Sequence, residues 1–450
     1  MTDPGRSLRL SRRDLLKYGG LTAVAAGVAG FGPRLVGTLL QPGRALAVDR
    51  PPDLKLVGTD GWISLPPDPP IFSSSLGVWT HPDSYAPPDR TTYIFGFANA
   101  TGLADDVQFN LKNKAQHSAP LFWAREGVDF RVQLTNVGLA QRPDLFDEHT
   151  VHWHGFKNVI PFFDGEPTGS VSIPQGQTFT YVYVSHDPGT YMFHCHVEDT
   201  EHVQMGMTGL VFVRPAQDGN TSLYPSGRYV YNDGDGSTGF DREYAMFLSE
   251  VWGDSHWADA HIQLPEWSDY RADFSLLNGR VYPDTLAPNS SIDPFNVMTR
   301  DANWDLPAPA GRPDLANQPM SSLVTCKPGE RVLLRFANLG FKEAAMTLAG
   351  IKMHVVGRDA TYMRGRTGFD TSYETNIVSL GAGESFDAIF TAPAHSTGVA
   401  TDPPDTYVLY NRAYTRGDNP AEGGGQRTEV RVYPAGATLL AQRYPNDTRL

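Results

Sequence analysis

TFTYVYVSHDPGTYMFHCHVEDTEHVQMGMTGLVFVRP, residues 178–215, contains three runs of the kind that form β-strands. TFTYVYV, GTYMFHCH and TGLVFVRP are rich in Val, Thr, Tyr and Phe, and Asp-Pro-Gly separates the first two. DFRVQLTNVG, residues 129–138, has the same character and ends at Asn-Val-Gly. Short strands punctuated by turn residues at this spacing predict a β-sandwich.

The pattern recurs further along. EYAMFLSEVW, RVLLRFANLG, IKMHVVGRD, ESFDAIFTAP and TYVLYNRAY are strand-like runs between residues 241 and 436. GERVLLRFANLG echoes EGVDFRVQLTNVG, and GAGESFDAIFTAP echoes PQGQTFTYVYV, in the same order. Two echoes in order indicate an internal repeat, and so two related sandwiches in tandem. The predicted organisation is an all-β chain with a first domain at 91–217, a linker at 218–240, a second domain at 241–436 and a tail at 437–450. Residues 48–90, Pro-rich and irregular, read as a strap over the first domain. The 44 Gly and 35 Pro suit strands and turns better than long helices.

The net charge of −13 argues against a nucleic-acid partner, because phosphates need cationic neutralisation. The first 47 residues read as an export signal. Arg12 and Arg13 are followed by Leu15 and Leu16, then an apolar stretch, then Ala45-Leu46-Ala47. The paired arginines point to the twin-arginine route, and so to an extracellular, cell-envelope or periplasmic protein with no membrane span in its mature chain.

Seven of the 13 histidines fall between 149 and 202, six of them in DEHTVHWHG and HCHVEDTEH. Residues two apart on a strand share a face. His152 and His154 therefore share one face, as do His194 and His196, while His149 and Cys195 point the other way. His202 and Met207 follow Cys195 in the next loop. His149, Cys195, His202 and Met207 form a His2Cys set with a thioether, the ligand chemistry of a blue-copper electron-transfer site. Met205 is the rival axial sulfur. The other four histidines, His152, His154, His194 and His196, are all-nitrogen ligands suited to copper that meets a small oxidant. The His-Cys-His triplet would join the two sites by a short covalent path. A structural zinc explains the set poorly, since no CxxC is present. Cys326 reads as a small buried hydrophobe. Glu198, Asp199 and Glu201 read as a solvated acidic loop, with binding of a cationic reductant as the alternative.

HTVHWHG, FFDGEP, DPGTYMFHCH and HVQMGM resemble the copper motifs of the multicopper oxidases, and LLNGRVYPDT with ESFDAIFTAP resembles the family's non-blue second domain. The resemblance spans roughly 91–436. It implies two tandem cupredoxin-like Greek-key β-sandwiches, with His149 a type 1 ligand, His152 a type 2 ligand, and His154, His194 and His196 type 3 ligands.

The pattern is incomplete in the second block. The family's three-copper centre uses eight histidines, four from each of two cupredoxin domains, and the second block has no HxH pair. Two first domains facing each other across a two-fold, in a homo-oligomer, would supply eight; the alternatives are a partner protein or another arrangement. HVVG around His354 resembles the active-site segment of copper nitrite reductases, which makes His354 a candidate proton donor. Arg412 stands about where those enzymes place their last histidine.

The expected function is one-electron oxidation of a small-molecule or metal-ion donor at the type 1 copper, coupled to oxygen reduction at the histidine-bound copper. The alternatives are a nitrite reductase and a non-enzymatic blue-copper carrier or copper-handling protein.

Overall fold

The structure, a computed structural model, describes residues 50–448 except 158, 290–292, 297–299 and 414–423. The predicted export signal and its apolar stretch lie outside the described residues. From Pro52 on, the described residues form a single compact unit.

The first sandwich is built from β1 (Leu54–Ile63), β2 (Thr92–Asn99), β3 (Phe122–Arg125), β4 (Asp129–Gly138), β5 (His152–His154), β6 (Thr178–Val184), β7 (Gly189–His194) and β8 (Thr208–Arg214). One sheet has the order β2-β1-β4-β6 and the other β3-β8-β7-β5. The second sandwich is built from β9 (Arg242–Val251), β10 (Phe274–Leu277), β11 (Val324–Cys326), β12 (Arg331–Asn338), β13 (Ala344–Leu348), β14 (Met353–Arg358), β15 (Ile377–Leu380), β16 (Ser385–Thr391), β17 (Asp405–Asn411) and β18 (Arg427–Val432). Its sheets run β10-β9-β12-β16-β14 and β11-β18-β17-β13-β15.

Each sandwich closes over its own apolar core. Phe95, Phe122, Trp153, Tyr181 and Phe193 lie in the first, and Tyr244, Phe336, Met346 and Phe390 in the second. Cys326 belongs to the second core, as expected, and burial pushes its thiol up to about 12. Between the sandwiches, Leu121, Met192, Leu210 and Phe212 pack against Ala245, Phe247 and Ala337. Among the described residues no helix is long and apolar enough to cross a membrane.

Three boundaries differ from the sequence expectation. The segment read as a strap contains β1, which lies between β2 and β4, antiparallel to one and parallel to the other. Gly58, Asp60 and Gly61 disguise it, since these residues are depleted in strands. The 218–240 segment is not a free tether. Its Tyr229, Val230, Tyr231 and Phe240 are buried, and this segment packs on Leu333, Val356 and Ile389 of the second sandwich. The tail is also built in. Asn446 is fully buried and its side-chain amide bonds both the N–H and the C=O of Ala245, satisfying a backbone edge that β10 leaves unpaired.

Candidate metal centre

β5 and β7 pair antiparallel with His152 opposite His194 and His154 opposite Met192. This register puts the even-numbered histidines of both strands on one face. Trp153, between two of them, faces the core and donates from Nε1 to the Phe163 carbonyl at 3.0 Å. β5 is thereby pinned with its histidines outward.

On the opposite face His149, Cys195 and His202 are buried, with donor atoms all within 4.8 Å of one another. His202 reaches Cys195 from the helix α1 (Asp199–Met205), with Nδ1 at 3.2 Å from Sγ. The Thr150 N–H points at the same sulfur from 3.4 Å, and the Thr150 Oγ1 accepts the His196 N–H at 2.9 Å. Both ring nitrogens of His149 are buried without a hydrogen-bond partner. A buried imidazole is costly in that state, and a metal ion would satisfy it.

Met207 is fully buried. A methyl group built on Gly58 would stand 2.8 Å from His149 Cδ2 and 3.5 Å from Met207 Cε, so the thioether methyl lies beside His149. Met205, the rival sulfur, is also buried in the first core.

Burial opposes ionisation of the Cys195 thiol, but His202 and His149 outweigh it and hold the thiol well below its usual range. Burial likewise lowers His202, yet Cys195 and Asp147 bring it up to about 10. A thiolate beside imidazole nitrogens is the donor set that soft and borderline metals take. Asp147 Oδ2 lies 3.7 Å from His202 Nε2, on the side away from the sulfur. A carboxylate there orients the ring, as partners of metal-bound histidines do.

The four remaining histidines form a tight group. Ring centroids are 5.1 Å apart for His152 and His194, 4.9 Å for His152 and His196, 5.6 Å for His154 and His194, and 5.4 Å for His194 and His196. Donor atoms of His152, His154 and His194 lie within 4.8 Å of one another. His152 Nδ1 is held by the Asp164 carbonyl at 3.0 Å, and His194 Nδ1 by the Cys195 carbonyl at 2.7 Å. Their Nε2 atoms are left for a ligand role. Burial drives His194 down to about 3 and lowers His152 and His154, so these rings are neutral at pH 7 and can donate lone pairs. Gly165 lets the Asp164 turn come this close, since a side chain there would collide with the Val151 carbonyl.

Not every candidate joins these groups. His354 sits on β14 with Nε2 at 2.8 Å from Ser372 Oγ, in a separate cleft with Lys352 and Glu374. The end of β14 nearest the histidine group is Arg358, and four residues of strand, about 13 Å, separate it from His354. Arg412 is exposed at the end of β17.

In the acidic loop Glu198 and Asp199 are exposed, as expected, and Glu201 is half-buried. Asp147, Glu198 and His202 have donor atoms within 4.8 Å of one another. Asp259, on the helix α2 (Gly253–Ala260) of the second sandwich, is buried, and burial together with Glu201 pushes its carboxyl up to about 8. Gly58, Asp147, Asp164 and Asp259 escaped the sequence reading. Each acts through a contact distant in sequence or through a missing side chain.

Two cupredoxin-like sandwiches with a buried His2Cys-Met pocket beside a histidine group define a copper protein of the cupredoxin class. Multicopper oxidase family models match residues 105–218 and 267–435, and the chain belongs to the multicopper oxidase family, whose members bind copper. It is 24% identical to laccase-15 of Oryza sativa subsp. japonica over 331 residues, 70% of this chain and 45% of that one. It is 25% identical to laccase-5 of Arabidopsis thaliana over 291 residues, 63% and 39% of the two chains. The chain spans about half the length of the curated relatives it matches. Among solved structures, the blue copper oxidase from Nitrosomonas europaea superposes with a TM-score of 0.54 at 20% identity, covering 84% of this chain and 85% of that one. The copper nitrite reductase of the same organism gives 0.50 at 16%, covering 88% and 97%. At these identities the likeness is one of fold.

Proposed function

We propose that the chain is an exported, laccase-like copper oxidoreductase. His149, Cys195, His202 and Met207 would hold a copper that accepts single electrons from a reducing donor, and His152, His154, His194 and His196 would hold copper that offers them to oxygen. The observation that carries this reading is the placement of Cys195. Its sulfur lies in the His149–His202 pocket, while its two sequence neighbours belong to the histidine group on the other face of the strand. Bound copper supplies the one-electron chemistry. The chain supplies a buried thiolate, neutral imidazoles held by backbone carbonyls, and a covalent path of a single residue between the two sites.

The donor side is closed to direct ring contact, since His202 is fully buried. Asp147 lies against its outer nitrogen and Glu198 stands outside it, so donors approach through carboxylates. His354, the proton donor a nitrite-reducing reading needs, bonds Ser372 away from the histidine group, which favours oxygen as the acceptor.

Cys195→Ser tests the reading. The substituted protein is expected to lose the intense visible absorption of a thiolate-bound cupric ion and, with it, oxygen consumption driven by a one-electron donor. A variant that stays blue would overturn the assignment.

A further inference from the structure

The family resemblance implies a three-copper cluster held by eight histidines, and this chain does not fit it. All 13 histidines of this sequence fall within the described residues. His149 and His202 belong to the Cys195 pocket, and four more form the group on β5 and β7. The other seven are elsewhere. His81, His256 and His395 bond the carbonyls of Pro66, Tyr93 and Pro403. His261 pairs with Asp83 and stacks between Tyr85 and Trp257. His354 bonds Ser372, His117 is buried against Gly206, and His186 is exposed on a turn.

The second sandwich does come up to the group, but it brings backbone instead of ligands. A methyl group built on Gly383 would stand 3.1 Å from His154 Nε2, and Gly383 has φ +81°, a conformation that favours glycine. At the start of β7, Gly189 lies so close to Ala360 that a methyl group on it would stand 2.7 Å from the Ala360 Cα. Lys157 Nζ bonds Thr361 Oγ1, next in sequence to Ala360. The chain's own second sandwich thus meets the group at His154 with backbone.

We propose that His152, His154, His194 and His196 hold a single copper ion within one chain, closed on one side by the Gly383 turn, instead of half of a three-copper cluster shared between copies. Imidazole–metal bonds of about 2 Å place the donors of one ion within about 4 Å of each other. The donor atoms of His152, His154 and His194 lie within a 4.8 Å envelope, close to that spacing. His196 lies outside the envelope, its ring centroid 4.9 Å from that of His152 and 5.4 Å from that of His194, and would turn in as the fourth donor. Four donors satisfy one such ion and leave none for two more. This inference rests on the proposed function only in taking the metal to be copper.

The test is a count on the full chain loaded with cupric ion and freed of excess metal. Copper per chain would be measured by mass spectrometry of the metal, and unpaired spins by electron paramagnetic resonance. Two coppers and two spins per chain are expected, one spin with the thiolate-bound signature and one without. His154→Ala is expected to lose the second copper and keep the blue band. About two and a half or four coppers per chain would overturn the proposal. So would fewer spins than coppers, since bridged cupric ions pair their spins. A single copper with the blue band intact would also overturn it, because the histidine group would then be empty. Absence of the blue band in the unaltered chain is a different result, and it would sink the proposed function.

Discussion

Gly58 shows how much of the metal pocket depends on an atom that is absent. The residue lies in β1, and its missing side chain is the space into which the His149 ring and the Met207 methyl fit. Gly58→Ala would force a contact of 2.8 Å on an imidazole that is itself fully buried. Something must shift, and overpacking of a closed site costs about 1–3 kcal/mol. The expected outcome is a lower melting temperature in the copper-free protein and a displaced visible band in the loaded one. If both stay unchanged, the close approach has no bearing on the pocket. The identity of the residue was plain in the sequence, but its purpose was not. In LKLVGTDGWI a glycine reads as a turn, and only the packing of a strand onto His149, 91 positions later, shows it to be a clearance.

Among the elements, α1 and α2 carry the acidic side of the pocket. α1 turns His202 toward Cys195 and Glu201 toward Asp259 of α2, and Arg142 binds the Asp259 carbonyl at 2.8 Å. Asp60 on β1 gathers the loop between them, accepting from Tyr93 Oη and the N–H groups of Ala140 and Gln141. Burial, then the neighbouring Glu201, raises the Asp259 carboxyl to about 8, from about 4 in an unfolded chain. The folded state therefore holds a proton that the unfolded state releases. Stability from this group is complete below about pH 4 and is lost as pH rises through 8. Asp259→Asn keeps the shape and cannot ionise. Its melting temperature is expected to hold up better than that of the unaltered protein between pH 5 and 9, by a few degrees at the upper end; parallel curves would remove the assignment. The sequence announced what alternation and turn residues encode: the strands, the opposed faces of the histidines and Cys195, and the repeat. It concealed β1 behind glycines. It could not reveal that a second-domain helix meets the Cys195 loop, because no local pattern records a contact across 58 residues.

Across the whole molecule, the strand that leads into the histidine group is tied to the second sandwich by a buried ionic network. Arg335 is fully buried between Glu243, at 2.8 Å, and Asp387, at 3.1 Å, with its guanidinium 4.3 Å from the Phe212 ring centroid. Asp387 also accepts Thr190 Oγ1 from β7 at 2.6 Å and Tyr231 Oη at 2.7 Å, while Arg214 of the first sandwich reaches Glu243 at 2.8 Å. Burying such a set gains little net stability over apolar packing. Removing one member is costly, because the others are left charged and dry. Arg335→Met would leave Asp387 without its cation while roughly preserving volume, at a cost of about 3–5 kcal/mol. Because Thr190 lies on the strand that leads to His194, Cys195 and His196, the damage should reach the metal sites. The expected result in calorimetry is one unfolding transition at reduced temperature, together with weaker retention of copper by the histidine group when the loaded protein is challenged with a chelator. Two separate transitions, with copper retention unchanged, would show instead that the sandwiches are energetically independent and that the network serves only the second.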